Sequence, residues 1–74
     1  MTTTNYNIYK FNEEVRDKVK EIIKNEPFFK VEFKKIENGT YKVDDLYEYE
    51  VIDILSVHGI TEKDFTINRL RTNN

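Results

Sequence analysis

A chain of 74 residues with 35% charged and 38% hydrophobic side chains makes a single domain with one thin core. The formal net charge of −2 argues against broad nucleic-acid affinity, and the lack of cysteine excludes disulfides and thiolate metal sites. Five tyrosines and five phenylalanines argue against simple disorder.

Met1-Thr2-Thr3-Thr4 shows no basic-then-apolar run, and no apolar stretch approaches membrane-spanning length, so a cytoplasmic protein is expected. The chain contains no Ala, Gln or Trp and is rich in Lys, Asn and Ile, the bias of an AT-rich genome. Residues 1–43 carry nine Lys/Arg against seven Asp/Glu, whereas residues 44–74 carry three against seven. The first part is therefore mildly basic and the second acidic.

Asn5–Phe11 alternates weakly and reads as a first strand, with Tyr6 and Ile8 toward the core and Asn7 and Tyr9 on the other face. Asn12 suits a helix N-cap, and Glu13 and Glu14 favour the first turn. Val15, Val19, Ile22 and Ile23 then form one helical stripe, which Asn25 and Pro27 close.

Phe28–Val43 reads as a β-hairpin, because Phe29, Val31 and Phe33 alternate with Lys30, Glu32 and Lys34. Asn38-Gly39 supplies the turn. A two-residue loop would set Phe33 opposite Asp44. A three-residue loop, Glu37-Asn38-Gly39 with Gly39 left-handed, pairs Phe33 with Val43 and Lys35 with Tyr41. The second choice merges the apolar faces and is preferred, with Phe33 in the core.

Asp44-Asp45 can cap a second helix, with Glu48 placed as in a capping box. Tyr47, Val51, Ile54 and Leu55 share one face, and His58-Gly59-Ile60 fits a Schellman-type end. Tyr47, Tyr49 and Val51 also alternate as in a strand, but length and the two caps favour helix. Thr61–Asp64 is a polar turn and Asp64–Arg71 a last strand, while residues 1–4 and 72–74 read as tails. The order β-α-β-β-α-β matches the α+β, ferredoxin-like split βαβ pattern: a four-stranded antiparallel sheet with both helices on one face. The match is to a pattern of elements, and no family motif carries it.

Chemistry is thinly represented. His58 is the sole histidine and sits at a helix end, where it interacts with terminal carbonyls more readily than it serves as a base. Ser56 is two residues away on the same helix and does not face it. Gly39 and Gly59 cannot build a phosphate loop. No catalytic residues, metal site or cofactor are expected.

Two surfaces remain. Asp44, Asp45, Glu48, Glu50 and Asp53 are interleaved with Tyr47 and Tyr49, and capping accounts for only some of these carboxylates. Tyr49 points outward with Asp53 and Ser56, so Tyr49, Asp53, Glu50, Asp45 and Glu48 are the candidate contacts for a protein partner with a basic surface. The open sheet face is the alternative, a weak single-stranded nucleic-acid site made by Tyr9, Lys30, Lys34 and Lys42 with only one stacking aromatic. The leading expectation is a small non-enzymatic interaction or inhibitor module, of a size and composition that fit a phage or mobile element. A homodimer is compatible with so thin a core.

Overall fold

The computed structural model describes residues 5–25 and 31–71. Strand β1 spans Asn5–Phe11, helix α1 Arg16–Asn25, strand β2 Lys34–Glu37, strand β3 Thr40–Asp44, helix α2 Glu48–Val57 and strand β4 Phe65–Arg71. A short 3-10 turn precedes each helix, at Glu13–Val15 and Asp45–Tyr47. The strands form one antiparallel sheet in the order β2-β3-β1-β4. This is the ferredoxin-like α+β arrangement, with the split βαβ units closing on the central pair β1 and β3.

Residues directly opposite in a ladder share a face, so the pairings decide which side chains meet. Tyr9 stands opposite both Tyr41 and Ile67, and Phe11 opposite Phe65. Tyr9, Phe11, Tyr41, Val43 and Phe65 are buried in one cluster with Val19 and Ile22 of α1 and Val51 and Leu55 of α2. Both helices therefore cover the same sheet face.

The expected facing of β1 is inverted. Tyr9 and Asn7 are each 0% exposed beneath the helices, and Tyr6 and Ile8 take the other face. Phe11 gains the burial that sets the phase: its ring lies 5.3 Å from Phe65 and 6.1 Å from Tyr41.

The hairpin keeps its register and changes its loop. Lys35 pairs with Tyr41 and Lys34 with Lys42, while Glu37 pairs with Thr40 around a two-residue turn. A bulge at Ile36 absorbs the difference, and Gly39 has φ of 80°. β2 is shorter than expected and begins after Phe33, so no Phe33–Val43 strand pair forms. The Phe33 ring instead meets Tyr41 edge-on at 6.2 Å. Phe28, Phe29, Lys30 and Pro27, like the two tails, lie outside the described residues.

Helix ends follow chemistry in part. The side chain of Asn12 does not cap its own helix; Nδ2 donates to the Lys63 carbonyl at 3.1 Å and ties the helix start to the Thr61–Asp64 turn. Asp44 Oδ1 accepts from Leu46 N at 2.9 Å and caps the second 3-10 turn. At the far end of α2, Ile60 N donates to Leu55 O and Gly59 N to Ser56 O, both at 2.9 Å. Gly59 has φ of 82°, and Ile60 and Leu55 are both buried, which completes the Schellman motif.

Candidate functional site

Helix α2 presents its residues at 100° intervals, so Val51 and Leu55 in the core fix what faces away. Tyr49, Glu50, Asp53 and Val57 fall on the opposite side as one ridge, and Leu46 is exposed in the 3-10 turn that leads into the helix. Leu46 is 76% exposed, Tyr49 86% and Val57 78%. Glu50 and Asp53 are exposed between them. A shallow depression beside the ridge, lined by Tyr49, Glu50, Ile52, Asp53 and Ser56, gives the tyrosine an apolar flank. The arrangement suits contact: large apolar groups project into water and carboxylates stand beside them.

The five carboxylates do not act together. Glu48 is turned inward. Its Oε1 accepts from Asn7 Nδ2 at 2.8 Å, and Arg69 donates to it from Nε at 3.2 Å and from Nη2 to Oε2 at 3.1 Å. The paired guanidinium has its pKa raised, first by the hydrogen bond to Glu48 and then by the attraction of that charge. Glu48 is thus a clasp between α2, β1 and β4 and leaves the candidate contact set. Asp45 is half-buried in the 3-10 turn, off the ridge.

Charge and tyrosine content do not single out Leu46 and Val57. The signal for them is positional. Val57 stands four residues after Asp53, so a helical wheel anchored on Val51 and Leu55 places it on the outer face, and Leu46 is exposed in the turn before the helix.

The open sheet face lacks the platform expected for stacking bases. Tyr9 lies in the core, where burial pushes its hydroxyl pKa up against a smaller opposing pull from Asn7. Lys34 and Lys42 do stand opposite one another on the open face. The aromatic beside them is Tyr6, and Lys42 Nζ already covers its ring at 4.2 Å. Lys30 lies outside the described residues.

His58 is half-buried at the end of α2, where its backbone N–H donates to Leu55 O at 3.1 Å. Among the described residues, no three His, Asp or Glu side chains converge to hold a metal ion. No helix among them is long and apolar enough to cross a membrane. Comparison with protein-family models, with curated proteins and with solved structures finds no match to this chain.

Proposed function

We propose that the protein is a non-enzymatic interaction module that binds a larger protein through the outer ridge of α2. The observation that carries the reading is that Tyr49 and Val57 stand strongly exposed on one face of a helix whose opposite face already supplies the core, with Leu46 equally exposed in the turn that leads into it. Isolated exposed apolar residues are ordinary, whereas several along one helix and its leading turn mark a surface meant to be covered. Tyr49 is the anchor, since a tyrosine brings apolar area and a hydrogen-bonding tip at low entropic cost. Glu50 sits in the first turn of α2, whereas Asp53 lies beyond it and gains little from the helix dipole; the charge of the two together steers a basic partner. The partner's surface is therefore an apolar groove with a basic rim. An inhibitor of phage or mobile-element origin fits the small size and the compositional bias.

The test is affinity capture from the native host, comparing the parent with Tyr49→Ala/Asp53→Lys and with Lys34→Glu on the sheet. Circular dichroism must first show each variant folded. A protein retained by the parent and by Lys34→Glu but lost from the ridge variant supports the reading. Equal retention by all three overturns it.

A further inference from the structure

We infer that two copies of this chain associate through the free edges of β4, pairing antiparallel about Asn68 so that one sheet runs through both. This concerns a different surface from the α2 ridge and does not rest on it.

The sheet has two edges of unlike character. β2 is four residues long, bulged at Ile36, and carries adjacent Lys34 and Lys35. Short length, a bulge and lysines are the usual means of discouraging further pairing. β4 has seven residues in unbroken register with β1, no proline and no bulge. Its Arg69 does not guard the edge, because Glu48 holds it.

The phase of the ladder shows which backbone groups are available. Asn12 N donates to Asp64 O at 2.8 Å, in line with the β1–β4 register. Antiparallel strands alternate the side to which each residue's N–H and C=O point. Thr66, Asn68 and Leu70 therefore bond toward β1, and Phe65, Ile67, Arg69 and Arg71 present theirs outward. Among the described residues no strand flanks them.

Few two-fold registers suit that edge. Centring on Arg69 sets arginine directly against arginine, which is unfavourable. Centring on Ile67 runs Arg71 beyond the partner's strand to Lys63. Centring on Asn68 pairs Ile67 with Arg69 and Phe65 with Arg71, so all four outward-facing residues of each strand find partners. It also sets Asn68 against Asn68 on the open face, where two amides can donate to and accept from each other.

The same closure uses the groove between α2 and β4, lined by Ile52, Ile60, Phe65, Ile67 and Glu62. The two-fold axis runs normal to the sheet, so both grooves adjoin on one face. The α2 ridge points away from the sheet and stays open on both copies.

Asn68 is exposed, so charge can be placed there without entering the core. Sedimentation equilibrium from micromolar to millimolar concentration is the readout, with Asn68→Lys and Asn68→Asp each alone and then mixed in equal amounts. The parent should dimerise, either variant alone should weaken association more than about tenfold, and the mixture should restore it. In the parent, exchange of the Ile67 and Arg69 amide hydrogens should slow as concentration rises, a readout that needs no variant. A parent that stays monomeric, an association that Asn68→Lys leaves unchanged, or a mixture that fails to re-associate overturns the proposal.

Discussion

The fully buried amide of Asn7 donates from Nδ2 to Oε1 of Glu48 across 2.8 Å, although the two residues lie 41 positions apart. Through this bond and the fork from Arg69, the start of α2 is fixed to the middle of the sheet. Asn7→Ala should cost about 1.5–3 kcal/mol, the range for a hydrogen bond to a charged group. Glu48→Gln keeps an acceptor for Asn7 and should cost less. Urea denaturation midpoints check both, and a harmless Asn7→Ala would contradict the clasp.

The rings of β1 make a second prediction. Phe11 is 1% exposed and surrounded by Tyr9, Tyr41 and Phe65. Phe11→Ala should therefore lose about 3–5 kcal/mol. Phe33 is only half-buried, so Phe33→Ala should lose less, about 1–3 kcal/mol. Chemical denaturation of the two variants should show Phe11→Ala as the more damaging, and the reverse order would restore Phe33 to the centre of the core.

The turn offers a third. A Cβ built at Gly39 would overlap Nε of Arg16 and lie 2.7 Å from its Cδ, and the backbone there is already left-handed. Arg16 is not free to swing aside without loss, because Nε donates to the Phe11 carbonyl at 3.2 Å. Gly39→Ala should cost roughly 1–3 kcal/mol. Combined with Arg16→Ala, the loss should be smaller than the sum of the two singles. Strict additivity in thermal melts would show that the contact carries no energy.

Burial raises the hydroxyl pKa of both Tyr9 and Tyr41 above the ordinary value of about 10. Below that pH both folded and unfolded chains keep these protons, so stability does not change on their account. Above it the unfolded chain releases them first and binds fewer protons than the folded one, so stability falls as pH rises. Denaturation midpoints should be level from about pH 8 to 10 and decline beyond. Tyr9→Phe should flatten the decline. It should also leave neutral-pH stability nearly unchanged, because the buried Tyr9 hydroxyl completes no full hydrogen bond and feels only the weaker pull of the Asn7 side chain.

Much of the fold is legible in the residues themselves. The element order, the register of Lys35 with Tyr41 and the His58-Gly59-Ile60 helix end all follow from local rules, because each is decided within a few positions. The facing of β1 is not read correctly from Tyr6 through Tyr9, where an apolar pair competes with Asn7 and Tyr9. The deciding contrast is Phe11 against Lys10, one buried and one exposed at the strand end. Asn7 looks like a surface residue until Glu48 arrives from α2 to take its proton donor, a distant contact that periodicity does not carry. Of the candidate site, Tyr49, Glu50 and Asp53 are legible as an outward patch. Val57 is overlooked because a wheel is needed to see that it lies on the wet side, Leu46 because it falls in the turn before the helix, and Glu48 is miscounted because its partners come from two other strands.

The most direct test of the ridge is photo-crosslinking in the native host. A benzoylphenylalanine is placed at position 57 in one protein and at position 34 in another. Position 57 should capture a protein with a basic surface, and position 34 should not. Excess unlabelled parent should suppress the adduct, and excess Tyr49→Ala/Asp53→Lys should not. Crosslinking to a partner from position 34 with none from position 57 would contradict the assignment of the binding surface to α2.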